Sequence, residues 1–410
     1  LYIATFYESY IVNNIFILKR TYSLQKGISM EDLIKISMED LKKIRHHIHR
    51  NPELSGKECK TREYIHQYLQ KHNATQIFLS SKTNCVVGVF GTGKETILLR
   101  ADMDALPIQE LNTHDHVSQN EGVMHACGHD GHTTMLLGLV PWLVQQNLDK
   151  YSVTLVFQSA EETGQGAFQL LEEPFWKDIK VKYAFGIHNM PQFPKGQILL
   201  REKIFAPAST GMIIELQGRA SHASEPENGI NPTQAMTQII PVLTSLPQYT
   251  LPLHQATKIT IVGAQLGQRR FGTSPEIATI FVTLRAHETE VLEKLKKDAE
   301  HLAKGIATAY GLKTNISYEE YFPAVENHPE ALKIVQKATQ NQDTAMLDAP
   351  APWSEDFSYF AHLYPSTYFG IGSGENMPNL HNPDYDFPDE ILPIAIKTFI
   401  NIIQEITTSC

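Results

Sequence analysis

Residues 124–132 place three histidines, a cysteine and an aspartate within nine positions, reading Met-His-Ala-Cys-Gly-His-Asp-Gly-His. Thiolate, imidazole and carboxylate together suit a borderline divalent ion such as zinc, manganese, cobalt or nickel. Cys127 on its own would be interpreted as a small buried apolar residue, but the glycine and histidines around it favour a metal ligand. His129 can reach the same ion or a neighbouring one. For His125 and His132, ligation and a supporting role are equally open.

Further candidate ligands each follow an apolar run and precede a turn: Asp102, Asp104, Glu161, Glu162, His188 and His381. In the adjacent pair, one carboxylate can bind a metal while the other accepts a proton from water activated by that metal. A solvated acidic turn is the plain alternative for this pair, and a strand-end cap is the alternative for Asp104. Lone histidines are more often ordinary core or surface residues, so His188 and His381 are candidates only in company with the others.

The elements that must position these residues alternate between strands and helices. Apolar runs predict strands over 85–90, 96–99, 153–157 and 182–187, with a hairpin turn at 91–93. Helical spacing predicts two helices within 41–70 and another over 133–144. This alternation predicts an α/β fold whose sheet carries helices on both faces and binds ligands beyond the carboxyl ends of its strands. Asp104, Glu161, Glu162 and His188 fall at such ends.

The chain divides into four predicted segments. From about residue 206 a β-α-β-β-α pattern of about 110 residues indicates an inserted, smaller α+β domain. The predicted division is a disordered N-terminal tail (1–36), a first catalytic part (37–205), the inserted domain (206–314) and a second catalytic part (315–410). The segments 28–33 and 36–41 form a short tandem duplication, and each copy carries the Ser-x-x-Asp signature of a helix N-terminus. We expect one copy to be redundant to the fold.

Composition excludes several classes of protein. A chain of 410 residues, 42% hydrophobic and 20% charged, fits two globular domains. A net charge of -10 argues against a nucleic-acid-binding protein. Four widely spaced cysteines follow no paired pattern, which suits a reducing compartment. No signal-peptide pattern or run of about 18 apolar residues is present, so we expect a cytoplasmic protein without a membrane partner.

Taken together, these motifs resemble the M20 metallopeptidase family, in its amidohydrolase branch, which includes hippurate hydrolases, N-acyl-amino-acid amidohydrolases and auxin-conjugate hydrolases. The resemblance rests on residues 100–107, 124–132, 161–162, 188–191, 218–222 and 380–383 in family order, and it extends from about residue 41 to the C-terminus. It implies a mixed-sheet catalytic domain that holds two divalent metals, an inserted lid and dimerisation domain, and a homodimer.

The resemblance also implies roles for single residues. Five would hold the metals, with Cys127 bridging: Cys127, His129, Glu162, His188 and His381. Glu161 matches the general base, Asp104 the aspartate that supports a ligand, and His222 the lid histidine, which would stabilise the oxyanion. The chain departs from its relatives at 268–275, where it reads Gln-Arg-Arg-Phe-Gly-Thr-Ser-Pro instead of an asparagine before an Ile-Pro-like turn. Arg269, Arg270 and Arg285 are candidates to bind a substrate carboxylate, with ordinary surface arginines as the alternative.

The expected reaction is metal-dependent hydrolysis of the amide bond of an N-acyl amino acid, giving a carboxylic acid and a free amino acid. A metallo-exopeptidase that cleaves dipeptides would use the same site. A non-catalytic binder of acyl amino acids is a third reading, but it would have no need of a proton acceptor such as Glu161. The motifs leave the acyl group, the amino acid and the native metal open.

Overall fold

The computed structural model describes residues 30–408, so the predicted tail over 1–29 lies outside the described residues. The strands, in chain order, are β1 Gln76–Leu79, β2 Val86–Phe90, β3 Glu95–Asp102, β4 Tyr151–Gln158, β5 Val181–Pro191, β6 Ile198–Leu200, β7 Lys203–Ala206, β8 Ala208–Gln217, β9 Ser221–His222, β10 Thr257–Leu266, β11 Thr273–Ser274, β12 Ile277–Ala286, β13 Lys313–Phe322, β14 Val325–Asn327, β15 Thr344–Met346 and β16 Ser366–Gly374. The helices are α1 Met30–Ile34, α2 Met38–Arg50, α3 Cys59–Lys71, α4 His129–Leu143, α5 Gly166–Leu171, α6 Thr233–Thr250, α7 Thr289–Ala309, α8 Pro329–Ala338, α9 Ser358–Leu363 and α10 Leu392–Thr408.

Eight strands form one mixed sheet in the order β1-β2-β4-β3-β5-β16-β6-β15. The central strands β4, β3, β5 and β16 run parallel, while β1, β2 and β6 add antiparallel pairings. The predicted mixed sheet is therefore confirmed. Its parallel centre brings the carboxyl ends of four strands to one edge, where such sheets bind ligands.

Helices cover both faces of this sheet, as predicted. Along β3, Ile97 and Leu99 join one buried cluster while Leu98 joins another, because successive side chains on a strand point to opposite faces. The first cluster contains residues of α1 to α4, α8 and α10, and the second contains residues of α5 and α9.

The predicted hairpin at 91–93 is wrong. β2 and β3 do not pair with each other; β4 lies between them, antiparallel to β2 and parallel to β3. The glycines permit a close approach to the chain that enters β4, because an added Cβ would lie 2.3 Å from Leu148 at Gly91 and 2.4 Å from Tyr151 at Gly93. These glycines therefore indicated tight packing against a distant segment and not a two-strand turn.

A second sheet, in the order β10-β12-β8-β13, is packed with α6 and α7 around its own apolar cluster. The predicted pattern of the inserted segment is present, but its last strand differs. The strand expected over 315–318 as the start of the second catalytic part is β13, and it pairs with β8 of the smaller sheet. The division predicted after residue 314 therefore does not follow the strand pairing, which keeps the chain in the smaller sheet to Phe322.

The end of the predicted tail is folded. Residues Met30–Ile34 form α1, which packs against α4 and α10, and Ile34 is completely buried. The prediction that the tail extends to residue 36 is therefore wrong for this segment. In the second copy of the duplication, Ser37 caps α2 by accepting a hydrogen bond from the Asp40 amide, 3.1 Å away, as its sequence pattern predicted.

One helical stretch among residues 30–408, Asp389–Thr408, is long and apolar enough to cross a membrane by length and composition alone. Its apolar side chains pack into the core against α4 and α8, and about half of its residues are buried. Core packing therefore accounts for its composition.

Candidate metal centre

The five predicted ligands meet at the edge formed by the carboxyl ends of the parallel strands. Glu162 follows β4, His188 lies near the end of β5, and His381 lies in the loop after β16. Cys127 and His129 come from the turn that opens α4, which packs beside β3. Chain segments more than 250 residues apart thus supply one site.

Gly128 makes the turn between Cys127 and His129 possible. Its φ of +90° lies in the left-handed region, and a Cβ there would lie 2.5 Å from Oδ1 of Asn189. Only glycine fits both requirements without strain. The two predicted ligands therefore flank a residue that must stay without a side chain.

The potential ligand atoms are close enough to share ions. The Cys127 Sγ lies 3.6 Å from Nε2 of His188. Oε1 of Glu162 lies 3.4 Å from Nε2 of His381 and 4.0 Å from Nε2 of His129. Atoms of Cys127, His129 and Glu162 lie within 4.8 Å of one another. These separations are short enough for the side chains to share cations.

Two buried atoms at this point lack partners among the described residues. Nε2 of His129 and Oε1 of Glu162 are inaccessible to solvent and accept or donate no hydrogen bond. Such atoms are rare in folded proteins and call for an explanation such as an ion. Burial, together with the carboxylates of Glu162 and Glu161, raises the pKa of the Cys127 thiol well above its usual range. A divalent cation would satisfy both atoms and stabilise the thiolate, so the donor set fits a metal.

Asp104 orients His129. Nδ1 of His129 donates to the Asp104 carboxylate at 3.2 Å and to its backbone carbonyl at 3.0 Å, which leaves Nε2 facing the centre. Burial would lower the pKa of His129, but the carboxylates of Asp102 and Asp104 outweigh it and raise the pKa to about 10. A positive charge, from a proton or a metal ion, is therefore favoured at Nε2. Ser55 and the Glu162 amide also donate to Asp104, at 2.6 and 3.0 Å.

His132 has both ring nitrogens engaged away from the centre. Its Nδ1 donates to Asp102 at 2.6 Å, and its Nε2 accepts from the Asn189 amide at 3.1 Å. This geometry favours the supporting role over ligation. His188 donates from Nδ1 to the Asn189 carbonyl at 2.8 Å, so its Nε2 is free to coordinate. Burial lowers the pKa of His188 and keeps it in the neutral form that binds metals.

Glu161 lies on the other side of the strand end, among carboxylates. Its carboxyl oxygens come within 4.8 Å of those of Glu355 and Asp356. Burial, followed by the charges of Glu355 and Glu162, raises the pKa of Glu161 well above its usual range. A carboxylate that gains a proton readily in a water-poor site is suited to general base and acid catalysis.

Arg100 holds this acidic region together, a role that the motif over 100–107 did not predict. The buried guanidinium lies 2.7 Å from Asp102, 2.8 Å from Glu355 and 2.8 Å from Asp356. The sequence does contain a signal for this role, an arginine in the strand end Arg-Ala-Asp-Met-Asp. A buried strand tolerates a charged residue only when that residue is paired.

Two non-glycine residues of the site have a strained backbone. Ala160, just before the glutamate pair, has φ of +53°, and His381 has φ of +65°. The Ala160 amide donates to Glu58 at 2.9 Å and the His381 amide donates to the Ala126 carbonyl at 2.9 Å, which hold both conformations. Strained residues of this kind concentrate at functional sites. Glu58 was not anticipated from the sequence.

A cavity of about 400 Å³ opens beside the centre and lies between the two sheets. The large-sheet side contributes Cys127, Glu161, Glu162, His188 and His381, together with Trp353, Ser354 and Leu380. The smaller sheet contributes Ser209, Gly211, Thr283, Arg285, Glu320 and Phe322. The inserted segment therefore forms part of the wall around the candidate reaction site.

Three predicted site residues lie elsewhere. His222, on β9, is exposed and is not among the residues that line this cavity. Arg269 and Arg270 are also exposed, and Arg270 lines a different cavity near Pro275. His125 is buried beside the centre, and neither of its ring nitrogens has a hydrogen-bond partner within 30–408. Of the candidate arginines, only Arg285 reaches the cavity.

Comparison with known proteins shows which enzymes the chain is similar to. A hippurate hydrolase of Campylobacter jejuni is 33% identical over 369 residues, which cover 88% of this chain and 95% of the relative. An N-acetyl-L-cysteine deacetylase of Bacillus subtilis is 31% identical over 362 residues, covering 87% and 85%. A solved dinuclear metal-binding peptidase of family M20, from Bacillus subtilis, superposes with a TM-score of 0.75 at 27% identity, covering 91% and 98%.

The sequence profile of peptidase family M20/M25/M40 matches residues 98–405, which span every predicted ligand and the whole inserted segment. The resemblance seen in the motifs is therefore confirmed, and so is the prediction of an enzyme. The chain belongs to the peptidase family M20/M25/M40 and is a hydrolase of that family.

Proposed function

We propose that the chain hydrolyses the amide bond of N-acyl amino acids, with two divalent cations held by Cys127, His129, Glu162, His188 and His381. The observation that carries the proposal is one cavity that is lined both by Arg285 of the smaller sheet and by Glu161 with four of the five ligands, Cys127, Glu162, His188 and His381. A general base and a fixed cation on opposite walls suit a substrate with an amide at one end and a carboxylate at the other. The hippurate hydrolase and deacetylase relatives support this substrate class.

The cations, when bound, polarise the amide carbonyl and lower the pKa of water toward about 7. Glu161 accepts the proton from the attacking water and donates it to the leaving amine. The surroundings of Glu161 suit this role, because burial and neighbouring carboxylates favour its protonated form after the first transfer. Asp104 keeps His129 in the orientation and tautomer that ligation needs.

Arg285 is the proposed partner of the substrate carboxylate. Its side chain is half-buried and donates to Oγ of Ser354 at 3.4 Å. Burial lowers the pKa of Arg285 relative to an exposed arginine, so a carboxylate partner would be favourable. Trp353 and Phe322 line the same cavity and offer apolar surface to the acyl group.

The rival proposal, a dipeptide exopeptidase, rests on Glu320. This residue lines the same cavity and can attract the free ammonium group of a dipeptide. An N-acyl substrate has no such charge. Glu320→Gln would impair dipeptide cleavage and leave acyl-amino-acid cleavage unchanged if both reactions occur.

Hydrolysis of a small substrate panel tests the proposal directly. Hippurate, N-acetyl amino acids, an indoleacetyl conjugate and free dipeptides would be offered to chelated protein and to protein loaded with manganese, cobalt or zinc. We expect metal-restored cleavage of at least one acylated substrate. Cleavage of dipeptides alone would establish the rival, and inactivity on the whole panel with metal bound would support the non-catalytic binder.

The role of Arg285 has its own test. Arg285→Met should raise KM for N-acyl amino acids by roughly 10- to 100-fold, because a charge-assisted hydrogen bond is lost. A substrate whose carboxylate is capped as an amide should not distinguish the variant from the parent. Arg269→Met is the matched control, since Arg269 is exposed and outside the cavity. An equal effect of both variants would contradict the assignment.

We also propose a cytoplasmic homodimer in which 206–314 serves as lid and dimerisation domain. Strand β10 is an edge of the smaller sheet and exposes Val262 and Leu266, while Tyr249 and Leu253 are exposed nearby. An apolar sheet edge of this kind favours association with a second copy. Light scattering after size-exclusion chromatography would give a mass twice 46.2 kDa, and Val262→Lys should reduce it to that of the monomer.

A further inference from the structure

A second group of imidazoles and carboxylates lies beside α2, separate from the five ligands described above. It joins His49 of α2, Glu110 and His114 of the loop that precedes the Cys127 turn, and Asp386 of the segment before α10. Nitrogen or oxygen atoms of His49, His114 and Asp386 lie within 4.8 Å of one another. No step of the proposed reaction uses these residues.

The separations within this group have the size expected around one ion. Nε2 of His49 lies 3.1 Å from Oε1 of Glu110, and Nε2 of His114 lies 3.3 Å from the same oxygen. Nε2 of His114 lies 3.8 Å from Oδ2 of Asp386. Ligand atoms at bonds of about 2.0 Å in a tetrahedral site are separated by roughly 3.3 Å. His49, His114 and Asp386 are therefore close enough to share one ion, and Glu110 lies beside both histidines.

His114 is the member whose geometry most needs an explanation. Its Nε2 is close to Glu110, but the angles do not form a hydrogen bond, and Nδ1 has no hydrogen-bond partner among the described residues either. Both nitrogens are inaccessible to solvent. The ring is held in place by stacking on His116 at a centroid distance of 3.6 Å, and His116 stacks in turn on His46 at 3.8 Å. Ring stacking thus orients an imidazole whose polar atoms lack partners.

His49 is supported as metal-binding histidines usually are. Its Nδ1 donates to Asp130 at 2.8 Å, which fixes the ring and directs Nε2 toward Glu110 and His114. A carboxylate on the far nitrogen is the usual outer support of a ligand histidine. Asp130 in turn accepts from Arg45 at 3.0 Å, so the support is itself anchored.

We propose that His49, Glu110, His114 and Asp386 bind a divalent cation of the zinc class, in a structural site distinct from the dinuclear centre. Two imidazoles and two carboxylates form a ligand set that suits zinc or cobalt better than calcium or magnesium. The ion would tie α2 to the loop around 110–116 and to the segment before α10. Because four protein ligands close the coordination sphere, this site holds an ion without offering it to a substrate.

The excess of negative charge around His49 and the partial solvent exposure of the proposed ligands both favour a bound cation. Glu110, Asp130 and Asp386 surround the single guanidinium of Arg45 and the His49 ring, so negative charge is in excess when the histidines are neutral. Side chains of His114 and Asp386 are 22% and 31% exposed, which gives the ion a path from solvent. The alternative occupant is a proton on His49, since carboxylates favour either positive charge.

Metal content after chelation and reloading with zinc tests the site. We expect the parent protein to retain one zinc equivalent more than the His114→Gln, Asp386→Asn double variant. His301→Gln is the matched control, because this exposed histidine of α7 lies outside the group and should leave the content unchanged. Cys127→Ser removes a ligand of the dinuclear centre only, so it should keep the equivalent that the double variant loses. Because zinc content and not activity is measured, the comparison of Cys127→Ser with the double variant does not depend on the proposed reaction.

Thermal unfolding keeps the test interpretable if a variant folds poorly. Added zinc should raise the Tm of Cys127→Ser and should raise the Tm of a triple variant that also carries His114→Gln and Asp386→Asn by much less. The chelated forms give each variant its own baseline. The proposal would be overturned if variants that lack His114 and Asp386 had the same zinc content and the same zinc-dependent Tm shift as those that keep them. A proton on His49 would then be the occupant.

Discussion

Glu161 and Glu162 are adjacent in sequence, yet their carboxyl groups face different neighbours. Glu162 faces His129 and His381, whose nitrogens are potential ligands. Glu161 faces Glu355 and Asp356 and is buried among like charges. The positive φ of Ala160 turns the chain just before the pair and contributes to this divergence. Two identical side chains can therefore take the separate roles of ligand and proton carrier.

Glu161→Gln tests this division of roles. The amide keeps the volume of the side chain but cannot accept a proton, so kcat should fall by roughly 10²- to 10⁴-fold. Metal content should stay at the parent value, since Glu161 is not a proposed ligand. The measurement is kcat on the best panel substrate together with metal analysis of the same sample. Near-normal turnover with metal bound would show that another group carries the proton.

Gly128→Ala tests the turn that separates two ligands. The added Cβ would lie 2.5 Å from Asn189 at a φ of +90°, so we expect a loss of at least about 1–2 kcal/mol in the free energy of unfolding. Gly305→Ala is the matched control, because Gly305 lies within helix α7 and a Cβ there meets nothing within 4 Å. That change should stabilise by up to about 1 kcal/mol. Denaturant unfolding of both variants measures these changes in the free energy of unfolding. Similar changes in the two variants would show that the turn at Gly128 does not require glycine.

Sequence patterns indicated the candidate ligands because this combination of residue types is rare and each candidate lies next to a turn. Cys127 and Glu162 could be placed at strand or turn boundaries from local periodicity alone. Glu58 and Arg45 could not, since their partners lie 102 and 85 residues away and nothing local indicates the pairing. His222 shows the opposite limit: its motif is recognisable, but the structure leaves it outside the cavity.

At the scale of elements, strand identity was easier to predict than strand order. β2, β3 and β4 were each expected near their observed positions, yet the pairing of β2 with β3 was wrong. Neighbours in a sheet are chosen by contacts over long sequence separations, which a local turn signal does not contain. The same cause explains β13, whose pairing with β8 is decided almost 100 residues away.

Arg100 joins β3 to the loop before α9, and its removal should destabilise the fold. Arg100→Met leaves Asp102, Glu355 and Asp356 buried without their cation, which should cost about 3–5 kcal/mol. Lys82→Met is the matched control. The Lys82–Glu172 pair has the same 2.8 Å separation as Arg100–Glu355, but its side chains are 41% and 49% exposed. Solvent screening should limit its effect to about 0.5 kcal/mol.

Urea unfolding of the two variants measures this difference. The comparison sets a buried cation with three carboxylate partners against an exposed cation with one partner at the same separation. Equal losses for Arg100→Met and Lys82→Met would show that the buried network contributes no more than a surface pair.

For the molecule as a whole, the titration of His49 and Asp386 predicts how the free energy of unfolding of the chelated protein depends on pH. Burial would lower the pKa of His49, but Asp130 and Glu110 outweigh it and raise the pKa from 6.5 to about 9. The stabilisation that protonated His49 gives the folded state is complete below pH 6.5 and is lost as the pH rises through 9. Burial would raise the pKa of Asp386, but His116 and Arg45 lower it from 3.8 to about 2. That contribution is present above pH 3.8 and is lost as the pH falls through 2.

We therefore expect the free energy of unfolding of the chelated protein to decrease between pH 6.5 and 9. His49→Gln should lower stability at pH 6 and flatten the decrease above it, because the titrating group is gone. Denaturant titrations at fixed pH values measure both effects. An unchanged slope in His49→Gln would assign the decrease to other groups.

His222 lies on β9, which pairs with β11 in a separate two-stranded sheet. Because it is exposed and lies outside the cavity, it can act on the oxyanion only after the inserted segment closes or when a second copy supplies it. His222→Ala should lower kcat by roughly 100-fold, the loss of one oxyanion donor, without changing metal content. Mixing refolded His222→Ala with Glu161→Gln then distinguishes the two routes. Closure within one chain predicts no recovery, whereas supply by a second copy restores one intact site in each mixed dimer. Parent-like kcat in His222→Ala would remove this residue from the mechanism.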